Sequence, residues 1–199
     1  PRSTLFPYTT PSDLVRRLAA GGMADIFLAH EEGRHGYERT VVLKTIRSDL
    51  VEEEELIQML MEEARIAASL EHENIVELIE VGNDAGTHFM AMEFVFGRDL
   101  AQVRDRCMEF GIPIPPQHAA TITMNVLDAL HHAHHEATSN GQLLRVIHRD
   151  VSPQNILVGF DGGVRLLDFG LAKAAAQLSK TRAGVLKGKS AYMYPEQVH

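Results

Sequence analysis

The residues best suited to chemistry lie between His148 and Gly170. His148-Arg149-Asp150-Val151-Ser152-Pro153-Gln154-Asn155 is a polar loop, too rich in charge and proline to continue a helix. Two short apolar runs follow, Ile156-Val158 and Val164-Leu167, with Phe160-Asp161-Gly162-Gly163 between them. An Asp-Gly step between apolar runs is a strong hairpin signal. A hairpin brings its ends together, so it places Asp150 and Asn155 beside Asp168. Two carboxylates and an amide oxygen form a hard-oxygen site suited to Mg²⁺ together with phosphate.

A phosphate site of this kind needs a cation and a scaffold, and the preceding chain offers both. Leu14-Leu18 and Asp25-His30 read as strands, joined by the small residues Ala19-Ala20-Gly21-Gly22-Met23-Ala24. Such a turn lets backbone N–H groups approach phosphate oxygens, because no large side chain intervenes. Thr40-Ile46 reads as a strand on which Val42 and Lys44 share one face. Glu52-Leu70 is a helix candidate. Leu56, Leu60, Glu63, Ala67 and Leu70 follow at steps of 4, 3, 4 and 3, so Glu63 points inward and needs a cation. Lys44 is its natural partner, and Glu62 falls on another face. Asn74-Val81 and His88-Val95 read as strands, with a turn over 82–86 between them. Asp99-Phe110 reads as a helix with the stripe Leu100, Val103, Cys107 and Phe110, which predicts a packed core thiol. Gln117-His135 is a further helix, with Ile122, Val126, Ala129 and Ala133 facing inward. His131 and His135 are four apart and could share a metal, but no acidic or cysteine ligand completing a set is evident in the sequence nearby.

Composition sets the limits. The 199 residues are 45% hydrophobic and 23% charged, with 19 basic against 27 acidic residues and a net charge of −8. That is ordinary globular composition, and no basic cluster of the nucleic-acid-binding type appears. No apolar run approaches a membrane span, and no signal peptide is evident. A single cysteine excludes an internal disulfide and fits a cytoplasmic setting. The absence of an initial Met suggests that the chain is cut from something longer.

The His148-Gly170 stretch resembles the catalytic loop and D-F-G triplet of eukaryotic-type protein kinases, and its wording is most similar to bacterial serine/threonine kinases. The resemblance implies an α+β, bilobal, protein-kinase-like fold. It divides the chain into a lead-in segment (1–13), an N-lobe with hinge (14–95) and a partial C-lobe (96–199). The β-rich N-lobe would be complete and the helical C-lobe incomplete, so that helix Gln117-His135 exposes an apolar face and the piece alone is poorly stable and inactive. The implied activity is transfer of the ATP γ-phosphate to Ser or Thr of a protein substrate, with Mg²⁺.

The same resemblance assigns roles residue by residue. Asp150 aligns the acceptor hydroxyl and takes its proton; Asn155 and Asp168 hold metal; Lys44, paired to Glu63, holds the α and β phosphates. Residues 19–24 resemble the glycine-rich loop, with Ala19 and Ala24 where the pattern has glycine and Gly21 in place. Leu18, Ile26, Val42 and Leu157 line the nucleotide pocket. Met92 is its gatekeeper, the main chains of Glu93 and Val95 bond the adenine, and Asp99 reaches the ribose. Leu171-Lys187 resembles an activation segment with Thr181 or Ser179 as phosphate acceptor for Arg149, and Tyr194-Pro195-Glu196 resembles its A-P-E end. Ser152 stands where such kinases carry Lys, and Lys189 where they carry Thr, so Lys189 is expected to supply the missing cation. Ala19, Ala24 and Ser152 leave a nucleotide-binding pseudokinase scaffold as the alternative. A small-molecule kinase fits the activation-like segment less well.

Overall fold

The computed structural model describes residues 12–21, 24–32, 38–47, 49–50, 53–84, 86–136 and 146–169. Gly22, Met23, Lys189, Thr181, Ser179 and the Tyr194-Pro195-Glu196 stretch lie outside them. The described residues fall into two compact units. One comprises those within Pro1–Ala68 and Glu77–Phe94, the other those within Ser69–Val76 and Val95–His199.

The first unit is an antiparallel sheet with one helix. Its strands are β1 (Ser12–Ala20), β2 (Ala24–Glu32), β3 (Glu38–Ile46), β4 (Leu78–Asp84) and β5 (Thr87–Glu93), in the order β1-β2-β3-β5-β4. Alternation sorts the side chains of β3 to two faces. Val41 and Leu43 join Ala29, Phe89 and Ala91 in an apolar cluster. Val42 and Lys44 take the other face. Directly opposed residues share a face, so the register puts Ile26, Lys44 and Met90 in one cross-strand row and Leu28, Val42 and Met92 in the next. Helix α1 (Glu54–Ala67) packs on β3, β4 and β5 and buries Leu56, Leu60, Glu63 and Ala64. It starts and ends inside the predicted span, and Leu70 is buried beyond its end.

The second unit contains a three-stranded antiparallel sheet, β6 (Gly97–Asp99), β7 (Ile156–Gly159) and β8 (Val164–Leu166), with helices α2 (Leu100–Glu109) and α3 (Pro116–His135). Gly97 lies so close to β7 that a Cβ there would sit 2.2 Å from the Val158 carbonyl oxygen, a gap only glycine tolerates. The β7–β8 turn is pinned by Asp161, whose Oδ1 accepts from Gly163 N–H at 2.9 Å, with Gly162 at φ 90°. Helix α3 buries Val126, Ala129 and Ala133 and exposes Met124 and Leu127.

Several local expectations are corrected. Residues 74–76 do not begin β4. Asn74 instead donates through Nδ2 to Val164 O at 3.0 Å, and Ile75 forms a parallel bridge with Leu166. Gly82 and Asn83 are strand residues, and the turn is tightened to the Asp84–Thr87 closure. The α2 stripe is only half-buried: Cys107 is intermediate and Phe110 is 58% exposed, with the Arg106 guanidinium over its ring. Cys107 is therefore not a core thiol. No described helix is long and apolar enough to cross a membrane.

Candidate active site

The candidate residues fall in both units, and each group is built within its own unit. In the first, β3 carries Lys44 to the side covered by α1, and the 4-3 spacing of α1 turns Glu63 to meet it. Lys44 Nζ donates to Glu63 Oε1 at 2.6 Å, with side chains only 7% and 3% exposed. An ammonium buried among Ile26 and Met90 needs such a partner. Glu62, one residue earlier, is exposed. Ile26, Val42 and Met92 stand on the Lys44 face by register, forming an apolar surface beside a fixed cation. Leu18 falls at a β-bulge and is partly exposed. Ala19 and Ala20 complete β1, Ala24 opens β2, and Gly21 N–H closes the turn on Ala24 O at 2.9 Å. Glu93 donates its N–H to Glu77 O at 3.0 Å, so that donor is used within the first unit.

In the second unit the polar loop is held by a chain of bonds that begins at His148. This imidazole is buried. Nε2 lies 2.7 Å from the Leu167 carbonyl, which can only accept, so Nε2 carries the proton. Nδ1 then accepts from Asp150 N–H at 3.2 Å. Burial holds the His148 pKa below its ordinary value, opposed by the Leu167 carbonyl and by the charges of Asp150 and Asp168. Phe169 meets the ring edge-on, centroids 4.7 Å apart.

Asn155 closes the loop on Asp150. Its Nδ2 donates to Asp150 O at 2.8 Å and to Asp150 Oδ2 at 3.0 Å. The amide nitrogen is thereby committed, which leaves Oδ1 as the acceptor atom of this side chain. Asn155 O accepts from Leu167 N–H at 2.8 Å, which ties the loop to the residue before Asp168. Asp168 itself has φ 58° and Arg149 φ 66°, left-handed conformations that non-glycine residues adopt at a cost. The hairpin thus draws Asp150, Asn155 and the start of the Asp168-Phe169 segment into one network. An amide oxygen and carboxylates are the donor types that Mg²⁺ takes with phosphate.

The other predicted positions lie at the start of α2 and in the small sheet. Asp99 caps α2, its Oδ1 accepting from Gln102 N–H at 2.9 Å. Leu157 pairs with Asp99 and Arg165 in the small sheet, and Val95 enters the second unit just before β6. The tethering role of His148 and the bridge from Asn74 to Val164 escape sequence reasoning. A buried imidazole in a charged loop is the one signal that could have marked the first. Ser152 is buried, and its Oγ has no hydrogen-bond partner among the described residues.

A buried Lys–Glu pair on a five-stranded sheet, with an Asp–Asn loop before a hairpin ending in Asp-Phe-Gly, defines a phosphoryl-transfer class of fold. The protein kinase domain model matches residues 13–199. The chain belongs to the protein kinase domain family. It is 42% identical over 196 residues to the tyrosine-protein kinase MasK of Myxococcus xanthus, covering 97% of this chain and 30% of that protein. It is 30% identical over 184 residues to the serine/threonine-protein kinase PrkC of Bacillus subtilis, covering 92% and 26%. Among solved structures, the PknI kinase domain of Mycobacterium tuberculosis superposes with a TM-score of 0.63 at 26% identity, over 85% of this chain and 63% of that one. The chain therefore spans under a third of the length of these two full relatives.

Proposed function

We propose that this chain carries the phosphotransfer core of a bacterial protein kinase that moves the ATP γ-phosphate to Ser or Thr hydroxyls of a protein. The observation that carries the reading is the coincidence of two networks, Lys44–Glu63 in one unit and His148–Asp150–Asn155 in the other. Lys44, fixed by Glu63, holds the ATP phosphates. Ile26, Val42 and Met92 receive the adenine. Asp150, held on both sides by His148 and Asn155, aligns the acceptor hydroxyl and accepts its proton. Asn155 Oδ1 and Asp168 would hold Mg²⁺, which supplies charge neutralisation on the phosphates when bound. Positioning and electrostatics carry such a reaction. Lys189 remains the proposed source of the cation that Ser152 does not supply. A cytoplasmic site of action, where ATP is available, goes with this reading.

A second reading concerns the acceptor. The 42% identical relative is named a tyrosine kinase, and Ser152, two residues after Asp150, carries a short, buried side chain where the serine/threonine pattern has Lys. On this reading the phenol of tyrosine is accepted as well. The test is incubation of the full-length protein with γ-labelled ATP and Mg²⁺, followed by phosphoamino-acid analysis of the labelled protein. Label on Ser or Thr supports the first reading, and label on Tyr the second. Nucleotide binding with no label on any residue would replace both with a scaffold.

A further inference from the structure

A cavity of about 360 Å³ in the second unit is lined by His72 and Glu73 on one side and by Asp128, His131, His132 and His135 of α3 on the other. None of these residues belongs to the catalytic loop or its hairpin. Asp128, His131 and His135 follow at steps of three and four, so they stand on one helix face.

The two imidazoles already approach each other, with ring centroids 4.2 Å apart and planes tilted by 35°. His135 Nδ1 lies 2.8 Å from the His131 carbonyl oxygen. A carbonyl only accepts, so Nδ1 carries the proton and Nε2 keeps its lone pair. This is the arrangement that orients a metal-binding histidine: one nitrogen donates to a carbonyl and the other is left for the ion. His72 is arranged differently. Its Nδ1 accepts from Asn74 N–H at 3.1 Å, which leaves its proton on Nε2. It stacks on His132 at 4.9 Å and forms a wall of the cavity. His132 Nε2 faces Glu136 Oε2 at 3.3 Å.

We propose that His131 and His135 chelate a divalent transition-metal ion of the zinc class, with Asp128 as the third donor. Among the described residues no three ligand side chains already surround one point. His131 and His135 therefore form the chelate itself, and Asp128, an exposed acidic side chain one turn before His131 that sequence reasoning passed over, completes it only when an ion is bound. Imidazole nitrogens select zinc-like ions over Mg²⁺, which prefers an all-oxygen shell. The ion is thus chemically distinct from the one expected beside Asn155 and Asp168.

The experiment is calorimetric titration of untagged, full-length protein with Zn²⁺, repeated with Co²⁺ while its visible absorption is followed. One equivalent should bind with a nitrogen-ligated Co²⁺ spectrum. His131→Asn or His135→Asn should each weaken binding by roughly tenfold or more, Asp128→Asn by less. His134→Asn, on another face of α3, should change nothing. Far-UV circular dichroism of each variant shows whether the helix persists. Absence of saturable binding, or full binding in a folded His131→Asn/His135→Asn variant, overturns the proposal. So does a loss confined to His132→Asn.

Discussion

Glu63 Oε1 accepts from Lys44 Nζ at 2.6 Å, and the pair is almost wholly removed from solvent. Removing one partner leaves the other charge buried without its counter-ion, which typically costs about 3–5 kcal/mol. Glu63→Gln should therefore lower stability by about 3 kcal/mol, read from denaturant unfolding followed by circular dichroism. Glu62→Gln, an exposed neighbour, should change it by under about 0.5 kcal/mol. Lys44→Met combined with Glu63→Leu should recover much of the stability but none of the nucleotide affinity.

His148 is held neutral by burial, its pKa lowered from 6.5. A depressed folded-state pKa means that the unfolded chain takes up a proton first as pH falls. The contribution of His148 is therefore complete above pH 6.5 and is lost as pH falls through the folded value. Melting temperature against pH should show this acid-side decline in the wild type and a shallower one in His148→Gln. Equal slopes would remove His148 as the cause.

Asn155 ties the loop to Asp150 through one nitrogen that makes two bonds. Asn155→Asp replaces that donor with a second carboxylate about as far from Asp150 Oδ2. Like charges that close raise the pKa of one of them. The acid limb of the kcat/KM profile should move to higher pH, and the maximum rate should fall. An unmoved profile would show that Asp150 is not the base being titrated.

Gly97 meets the Val158 carbonyl at a distance that leaves no room for a methyl group. Gly97→Ala should separate β6 from β7 and cost about 1–3 kcal/mol. Gly111→Ala, at an open position with φ 65°, tests strain without a clash and should cost less. Thermal melts of the two variants check the order.

Much of this arrangement is legible in the residues. Period two places Lys44 beside Val42, and the 4-3 steps of α1 select Glu63 over Glu62 before any contact is seen. The Asp-Gly turn marks the hairpin. What stays hidden depends on distant partners. Three residues, Gly97–Asp99, carry no alternation of their own and become a strand only because β7 is beside them. Asn74 reads as the start of a strand, yet its side chain serves Val164, ninety residues on. The apolar stripe of α2 overstates its burial, since a periodic face shows which side turns inward but not what covers it.

The proposed division of labour gives Asp150 the transfer step and gives Lys44 with Glu63 the nucleotide. Its most direct test is ATP binding and single-turnover transfer by the full-length protein and its Asp150→Asn variant. Nucleotide affinity should stay within about twofold, while the transfer rate falls by about 10²–10⁴. A variant that transfers phosphate at the wild-type rate would contradict the account.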